Sequence, residues 1–515
     1  MLQIKNLTMT HQLDLKEIVR QLSFTINPGD KLAIIGEEGN GKSTLLKWIN
    51  QDPSIQHYIQ VDGECINHFS RTAYLPQMLP KELANLTLDD YFFGQADATD
   101  LDYAVLYALV GQMGLDAERL TSQQTLGSLS GGEKIKVQLL KLLAMQPDLL
   151  LLDEPSNDLD LATINWLEHF IQTSPLTILF ISHDEALLRA TANKILHIEL
   201  LRHKTIPVAT FANLDYATYV EEKLARFDTQ NRIANKQRAE YDKQMAKQRR
   251  IESSVHDAQN AISRQDPAGA RLLKKKMHTV KSMGRRFERE KEDFEEIPIK
   301  EDPILVKFSS TKPLANGKII LHLDQAQVKL DNRLLADSIN LLVKGPQKIG
   351  VIGQNGVGKS TFLKQLWQDL KDRTDIAAGY MPQNYRDFLP ETQTPIEFLS
   401  QRGDAEELTQ IMTYLGSMRF TSEEMHHPVS ALSGGQQAKL FLLKIDLAGQ
   451  NVLLLDEPTR NFSPLSQPEL RELFKNFKGA ILTISHDRQF LKEVCDLVYE
   501  LTPSGLILDA AFDEE

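Results

Sequence analysis

An internal repeat sets the tightest limit on how this chain of 515 residues can fold. The segment LAIIGEEGNGKSTLLK, which begins at Leu32, returns from Ile349 as IGVIGQNGVGKSTFLK, and the segments LSGG and LLLDEP also occur twice. Matched pairs of these later motifs are each separated by 303 positions: Ser130 and Ser433, Glu154 and Glu457, His183 and His486. A constant offset between distant motifs indicates a duplicated domain.

Each copy alternates short Leu-rich or β-branched runs, such as 149–152 and 177–181, with helical patterns. This alternation predicts an α/β fold with a largely parallel sheet. We therefore expect one such domain at 1–216 and another at 301–515, with a long two-helix hairpin between them.

The segment 217–300 has a different composition, because glycines and short apolar runs become rare and Lys, Arg, Gln and Glu dominate. Its apolar residues recur at helical spacing: Ile251, Val255, Ala258 and Ile262, then Leu273, Met277, Val280, Gly284 and Phe287. The pattern predicts two helices with facing seams and a tip near 263–270, where Asp266 can cap and Pro267 can begin the second helix. A helix over about 217–262 would project on the order of 70 Å.

Charge is unevenly distributed along the chain. The formal net charge is -12, yet residues 229–286 carry 15 Lys and Arg against 5 Asp and Glu. Such an arm favours contact with nucleic-acid phosphates, and a solvated helical spacer is the alternative. The candidates for RNA binding lie in or just beyond the expected tip: Arg264, Arg271, Lys274, Lys275, Lys276 and Lys281.

Nothing in the sequence favours a membrane or secretory location. No apolar run approaches the roughly 18 residues that cross a bilayer, and the first residues lack the apolar core of a secretory signal. Cys65 and Cys495 are far apart and have no metal-ligand neighbours, which argues against a disulfide framework or a zinc site. We expect a cytoplasmic protein with no membrane contact.

The two glycine-rich repeats match the P-loop spacing, and each follows an apolar strand and precedes a helical pattern. In a P-loop, backbone N–H groups surround phosphates, the Lys reaches the outer phosphates and the Ser can ligate Mg²⁺. The sequence thus predicts two sites for a nucleotide with Mg²⁺. Their residues are Gly36, Gly39, Gly41, Lys42, Ser43 and Thr44 in the first loop, and Gly353, Gly356, Gly358, Lys359, Ser360 and Thr361 in the second.

An acidic pair ends a predicted buried strand in each copy. Asp153 and Asp456 can hold Mg²⁺ directly or through water, and Glu154 and Glu457 can polarise an attacking water as general bases. An isolated Asp-Glu pair usually only ends a strand. Here the pair occurs twice, each time after an SGG turn and 29 positions before a His, which favours catalysis.

The ordered set of P-loop, Gln77, LSGGE, LLLDEP and SHD resembles the nucleotide-binding domain of ABC ATPases, and the resemblance covers both end domains. It implies ATP with Mg²⁺, held between one domain's P-loop and the other domain's LSGG turn, with two P-loop domains of ABC type paired within one monomer. The first site would combine Lys42, Ser43, Gln77, Asp153, Glu154 and His183 with Ser433, Gly434 and Gly435. The second would combine Lys359, Ser360, Gln383, Asp456, Glu457 and His486 with Ser130, Gly131 and Gly132.

Within these implied sites, Gln77 and Gln383 would join the Ser and Asp residues at the metal. The two His residues would contact the γ-phosphate. The second copy departs from the family at Ser463, where an Asp is usual, so the two sites are expected to be inequivalent. No clear aromatic residue stands ready to stack on the base, and only His11 is a weak candidate, so the preference for ATP over GTP rests on analogy.

Paired ABC domains, a charged linker of about 80 residues and no membrane segment resemble the ABC-F proteins, which act on ribosomes. The resemblance implies the bacterial 70S ribosome as partner, with the linker entering near the tRNA exit site and its tip approaching P-site tRNA, 23S rRNA and the peptidyl-transferase centre. The segments SRQDPAGARLLKKKMHTVKSMGRR and DEPTRNFSPLS also look similar to resistance members of the Lsa and Vga type. Displacement of a ribosome-bound antibiotic is therefore the expected function.

Three alternatives remain open on the sequence. A housekeeping ABC-F translation factor would act on stalled or idle ribosomes without regard to drugs. An ATPase subunit of a transporter would need a separate membrane partner, and a DNA-repair ATPase of the same superfamily would prefer duplex DNA.

Overall fold

The computed structural model describes residues 1–94, 101–157, 159–201, 206–261, 267–292, 294, 304, 306–308, 310–330 and 333–509. The chain divides into two compact units, one formed by 1–216 with 301–515 and the other by 217–300. The predicted α/β fold, with two P-loop domains and a helical insertion, is confirmed.

The first domain contains an antiparallel sheet and a mostly parallel one. The antiparallel sheet has the order β2-β1-β4. The six-stranded sheet has the order β5-β6-β7-β3-β8-β9, and only β9 runs antiparallel to its neighbour. The strands are β1 (Leu2–His11), β2 (Glu17–Ile26), β3 (Lys31–Ile35), β4 (Ile59–Asn67), β5 (Thr72–Leu75), β6 (Leu149–Asp153), β7 (Thr177–Ile181), β8 (Lys194–Leu200) and β9 (Ile206–Ala212).

The second domain repeats this plan. Its six-stranded sheet has the order β13-β14-β15-β12-β16-β17, again with one antiparallel edge strand, and β10 pairs with β11 in a hairpin. The strands are β10 (Ile319–Leu330), β11 (Arg333–Lys344), β12 (Lys348–Ile352), β13 (Ala378–Met381), β14 (Val452–Asp456), β15 (Ala480–Ile484), β16 (Leu497–Thr502) and β17 (Gly505–Leu508).

Helices follow most of the parallel strands. In the first domain they are Lys42–Ile49, Lys81–Ala84, Tyr103–Gln112, Gly131–Ala144, Leu161–Thr173 and Glu185–Thr191. In the second they are Lys359–Leu370, Pro395–Leu399, Ala405–Ser417, Ser422–His426, Gly434–Leu447, Gln467–Lys475 and Arg488–Val494. Every residue of β6, β7, β14 and β15 is buried, as expected for parallel strands covered on both faces.

The insertion consists of two helices, Tyr216–Ala261 and Pro267–Glu292. The second helix begins at Pro267 as expected, whereas the expected cap Asp266 and the rest of 262–266 lie outside the described residues. Within the insertion, Val255 and Val280 are only 2% and 3% exposed. Gly284 lies against the Gln248 amide, where a Cβ would be 3.4 Å from Nε2.

The packed face of the insertion departs from the predicted seam at one position, since Ala258 is exposed. Gln248 is buried instead and donates to Glu252 Oε2 over 2.9 Å. Nearer the other end, the ring of Tyr241 packs edge-on against Phe294 with centroids 5.8 Å apart. None of the helices in the described ranges combines the length and the apolar character required to span a membrane.

Candidate functional site

The site residues meet at the carboxyl ends of neighbouring strands. In the first domain β3 leads into the P-loop, β6 ends at Asp153, and β7 lies between them and is followed directly by Ser182 and His183. The strands β12, β14 and β15 repeat this order in the second domain. Because ligands of open α/β sheets bind at the carboxyl edge, the topology gathers the predicted residues of each copy in one place.

The first glycine of each P-loop is required by a close backbone approach. Gly36 has φ 140°, and a Cβ there would lie 2.2 Å from the Ile198 carbonyl oxygen. Gly353 has φ 144°, and its Cβ would lie 2.5 Å from the Leu501 carbonyl oxygen. Any larger residue would therefore move the loop away from the sheet.

The first site brings the P-loop and the strand-end carboxylate together. Lys42 Nζ donates to the carbonyl oxygens of Gly36 and Glu37, both over 2.8 Å. Ser43 and Thr44 follow Lys42 in the first turn of the helix Lys42–Ile49, and the Ser43 hydroxyl donates to Asp153 Oδ1 over 2.9 Å. Tyr74, which sequence reasoning missed, donates its hydroxyl to Asp153 Oδ2 over 3.0 Å.

Glu154 is held by three side chains in a strained backbone conformation. Its φ is 51°, in the left-handed region that ordinary residues avoid. Gln77 Nε2 donates to Glu154 Oε2 over 2.8 Å, Asn157 donates to the same oxygen, and His183 Nε2 lies 3.5 Å from Oε1. Burial raises the pKa of Glu154, but the adjacent His183 ring and the charge of Lys42 outweigh burial and lower it to about 2. The Glu154 carboxyl is therefore ionised at neutral pH.

Glu457 occupies the matching place in the second site with a different electrostatic environment. Its φ is 53°. Its Oε2 accepts from the His486 backbone N–H over 3.3 Å, and its Oε1 lies 3.6 Å from His486 Nε2. Burial and the neighbouring carboxylate of Asp456 raise the pKa of Glu457, while burial and the charge of Lys359 lower the pKa of His486 to about 3. The two glutamates therefore lie in opposite electrostatic environments, one that lowers the carboxyl pKa and one that raises it.

The second P-loop lysine repeats the contacts of the first. Lys359 Nζ donates to the Gly353 carbonyl oxygen over 2.7 Å and to the Gln354 carbonyl oxygen over 3.1 Å. It also lies 3.4 Å from Asn355 Oδ1. Both lysines are buried and turned into their own loops, where phosphate oxygens would compete with the backbone carbonyls for the ammonium.

The strand-end carboxylates suit a divalent cation. Burial raises the pKa of both Asp153 and Asp456 by more than their hydrogen bonds lower it, which means that the protein alone compensates each charge only in part. Asp456 Oδ1 is buried without a hydrogen-bond partner, and Ser360 hydrogen-bonds the same carboxyl group. In the described part of the chain no three His, Cys, Asp or Glu side chains cluster for a metal. The set fits Mg²⁺, which is bound through one or two carboxylates and completes its shell with water and phosphate oxygens.

Each LSGG turn begins a helix of 14 residues with a capping box. Ser130 and Ser433 are the N-caps, and the N3 residues Glu133 and Gln436 return hydrogen bonds to them. The glycine pairs Gly131 with Gly132 and Gly434 with Gly435 form the first turns. The positive end of a helix dipole therefore lies at each turn, in the position where an anion would be stabilised.

The structure brings the second P-loop and the first LSGG turn to the same cleft. This cleft has a volume of about 540 Å³, within the range of small-molecule sites. From the first domain it is lined by Gly131 and His183. From the second it is lined by Gly356, Gly358, Lys359, Ser360, Thr361, Gln383, Asp456, Glu457 and His486.

The first P-loop meets the second LSGG turn in a much smaller cleft of about 30 Å³. Ser433 and Gly435 line it together with Glu37 and Glu38. Glu38 Oε2 accepts from the Gly435 backbone N–H over 3.2 Å. Sequence reasoning missed Glu38, although its difference from Asn355 in the repeat was visible.

Further contacts join the two domains beside the clefts. His183 Nδ1 lies 3.1 Å from the Phe462 carbonyl oxygen, and Gln467 Nε2 donates to the His183 carbonyl oxygen over 2.7 Å. Arg471 Nη1 pairs with Glu185 Oε2 over 2.9 Å, and both side chains are buried. Gln467, Arg471 and Glu185 lie outside the recognised motifs, so the sequence carried no signal for them.

The candidate RNA-binding residues are exposed in the second helix of the insertion. They are Arg271, Lys274, Lys275, Lys276 and Lys281, whereas Arg264 lies outside the described residues. They lie away from the packed face of this helix, which is formed by Leu273, Met277, Val280 and Gly284.

A family model described as ABC transporter matches residues 19–157 and 336–460. Among curated proteins, the chain is 28% identical to ATP-binding protein Uup of Buchnera aphidicola over 95% of this chain and 79% of that protein. It is 27% identical to the putative ATP-binding protein YdiF of Bacillus subtilis, over 98% and 80% respectively. It is 26% identical to ABC transporter F family member 5 of Arabidopsis thaliana, over 96% and 74%.

Solved structures show a similar fold. The archaeal ribosome recycling factor aABCE1, in complex with the ribosomal stalk protein aP1, aligns with a TM-score of 0.59 over 96% of this chain and 87% of that chain. A structure described as RNase-L Inhibitor aligns with the same score over 99% and 92%. Both are 15% identical in sequence, so the likeness concerns the fold.

Proposed function

We propose that this chain, which belongs to the ABC transporter family, is a ribosome-binding ATPase that displaces antibiotics. The chain is an ATP hydrolase, similar to ABC transporter F family member 5 and to the ATP-binding proteins Uup and YdiF. In this proposal 1–216 and 301–515 are the ATPase domains and 217–300 is the arm that acts on the ribosome. We place the protein in the cytoplasm. We expect it to work as a monomer, because both ATPase domains lie on one chain.

The cleft lined by both domains carries the ATPase part of the proposal. Gly131 of one domain and Lys359 and Glu457 of the other face the same space of about 540 Å³. A nucleotide there would contact both domains, so its binding would favour their closure and its hydrolysis would release them. Nucleotide state would thereby control the geometry of the chain.

The residues of each site have separable roles. Lys42 and Lys359 bind outer phosphate oxygens, and the glycine N–H groups of the opposite LSGG turn stabilise the terminal phosphate. Glu154 and Glu457 orient the attacking water and accept its proton. When bound beside Ser43 and Asp153, or Ser360 and Asp456, Mg²⁺ would neutralise phosphate charge. His183 and His486 lie beside the glutamates and can contact the γ-phosphate.

The insertion supports a ribosomal partner. Exposed cations follow one another in its second helix at Lys274, Lys275 and Lys276, and such clusters bind phosphate backbones without base readout. Few aromatic residues accompany them, so contact with RNA shape and backbone is favoured over stacking. A protein of the same fold, aABCE1, is described as a ribosome recycling factor. We propose 23S rRNA and P-site tRNA, reached from the tRNA exit site, as the contacts of the insertion tip.

A hydrolysis-deficient variant tests this function. Changing Glu154 and Glu457 to Gln removes both general bases while keeping their size and most hydrogen bonds, so ATP binding should persist. We expect the double variant to co-sediment with 70S ribosomes in ATP and to leave them in ADP. Wild-type protein in the two nucleotides is the matched control. A double variant that sediments free of ribosomes in ATP would contradict the proposal.

The role of the insertion has its own test with a charge-matched control. Changing Lys274, Lys275 and Lys276 to Ala should weaken ribosome association and reduce its dependence on salt, because fewer counterions are released. The control changes three exposed lysines of the first helix, Lys236, Lys243 and Lys247. Equal losses in the two variants would favour a general charge effect, and no loss in either would favour a spacer.

Antibiotic displacement is the more specific part of the proposal. Expression in a sensitive bacterium should raise its tolerance to lincosamides, pleuromutilins or streptogramin A, and the Glu154 and Glu457 double variant should not. Unchanged tolerance together with ATP-dependent ribosome binding would instead indicate a translation factor that acts without regard to drugs.

A further inference from the structure

The two P-loops differ in charge at their third position. The first loop has Glu38 where the second has Asn355. Asn355 lies within its own loop, 3.4 Å from Lys359 Nζ. Glu38 instead reaches across the domain interface to the second LSGG turn.

The Glu38 carboxylate lies against the glycines of that turn. Its Oε2 accepts from the Gly435 backbone N–H over 3.2 Å, and a Cβ built on Gly434 would lie 2.7 Å from the same oxygen. These glycines begin the helix Gly434–Leu447. The carboxylate thus takes a backbone donor at the positive end of a helix, which is where an anionic ligand would be stabilised.

Two basic residues of the second domain line the cleft that contains Glu38. Lys439 is 5% exposed and lines the small cleft together with Arg419 and Glu38. Positive charge at a buried helix start favours an anion. Glu38 supplies that anion from within the protein.

The volumes of the two clefts agree with this difference. The cleft beside Glu38 has about 30 Å³, enough for a few water molecules, whereas the cleft beside Asn355 has about 540 Å³. A nucleoside triphosphate fits the second volume and not the first. The space between the first P-loop and the second LSGG turn is therefore closed around the Glu38 carboxylate, whereas the space between the second P-loop and the first LSGG turn is open.

We propose that Glu38 is a built-in substitute for the terminal phosphate at the first site, so that ATP must displace it and the second site fills first. This inference rests on the proposed ATPase function and adds an order of loading to it. The carboxylate releases the Gly435 N–H when ATP enters, and its negative charge then lies near the polyphosphate. Both effects lower the affinity of the first site relative to the second.

Titration calorimetry with MgATP tests the order of loading in protein that also carries Glu154→Gln and Glu457→Gln to prevent hydrolysis. We expect two binding steps of different affinity, of which Lys42→Ala removes the weaker and Lys359→Ala the stronger. Glu38→Asn, which copies the second loop, should tighten the weaker step at least about tenfold, the equivalent of one hydrogen bond to a charged group. Asn355→Glu should weaken the stronger step by a similar factor.

Glu82→Gln is the matched control, because it removes the same charge from an exposed position of the first domain that lines neither cleft. It should change either step by less than about threefold, since it leaves the Glu38 contact in place. Equal shifts in Glu82→Gln and Glu38→Asn, or no shift in Glu38→Asn, would overturn the inference. Circular dichroism and thermal melting establish that each variant is folded. Two steps insensitive to Glu38 would overturn only the loading order, whereas absence of ATP binding in the parent protein would overturn the proposed function as well.

Discussion

The buried ion pair between Arg471 and Glu185 is expected to hold the two ATPase domains together. Arg471 Nη1 lies 2.9 Å from Glu185 Oε2, and the two side chains are 5% and 2% exposed. Removing one partner of a buried pair typically costs 3–5 kcal/mol because the other charge stays buried. Glu185 Oε1 keeps its bonds from Arg189 Nε and Nη2, at 3.0 and 2.7 Å. We therefore expect Arg471→Met to lower the free energy of unfolding by about 3 kcal/mol, the low end of that range.

A double-mutant cycle separates the pair from the general effect of each substitution. Arg471→Met combined with Glu185→Met removes both charges of the pair, so its cost should be smaller than the sum of the single costs by about 2 kcal/mol. Urea unfolding of the full chain measures the four free energies, provided that the slope stays constant across the set.

Arg488→Met is the control, because it breaks an interdomain ion pair that is less buried. Arg488 and its partner Glu168 are 31% and 21% exposed, so the loss should be below about 1 kcal/mol. Single losses that add within about 0.5 kcal/mol would refute the coupling across the interface. So would a cost for Arg471→Met no larger than that for Arg488→Met.

Three further predictions concern the P-loop, the interface and the insertion. Gly36→Ala should abolish ATP binding at the first site, because its Cβ would lie 2.2 Å from the Ile198 carbonyl oxygen. A Cβ at Gly39 would have no atom within 4 Å, so Gly39→Ala should cost only about 1–2 kcal/mol of left-handed backbone strain. Nucleotide titration and urea unfolding compare the two variants. Burial raises the pKa of Asp184 to about 6, so the folded state binds the extra proton, and the free energy of unfolding should fall by about 2 kcal/mol as pH rises from 4 to 6. Asp184→Asn should lack this loss, and an equal fall in both proteins would contradict it. Val280→Ala should destabilise the insertion by about 1–2 kcal/mol and accelerate amide hydrogen exchange in its two helices, and unchanged exchange would show that this packing does not stabilise them.

Much of the fold and of each site follows from the repeat and from strand order. The P-loop, the acidic strand end and the His each follow a strand of the same parallel sheet, and parallel strands end at one edge, so Lys42, Asp153, Glu154 and His183 were predictable as neighbours. The insertion helices were predictable from the spacing of apolar residues. The same spacing predicted that Ala258 would be buried, but Ala258 is exposed and Gln248 is buried instead. A polar side chain at a packed position is invisible to an apolar pattern.

The remainder depends on contacts between distant segments. The pairing of Arg471 with Glu185, and of His183 with the Phe462 carbonyl, requires knowledge of how one domain faces the other. The difference in pKa between Glu154 and Glu457 depends on local partners. His183 lies beside Glu154, whereas the pKa of His486, beside Glu457, is lowered by burial and by the charge of Lys359. Asn157 also donates to Glu154, and the repeat has Arg460 at the matching position. Single positions of this kind carry no periodic signal.

The most direct test of the account is a cryo-electron microscopy reconstruction of the Glu154→Gln and Glu457→Gln double variant, mixed with ATP and 70S ribosomes carrying P-site tRNA. We expect nucleotide between each P-loop and the opposite LSGG turn, with the helices Tyr216–Ala261 and Pro267–Glu292 in the tRNA exit site. Lys274, Lys275 and Lys276 should lie against RNA phosphates. A complex in which these helices point into solvent, or in which the protein is absent from the ribosome, would contradict it.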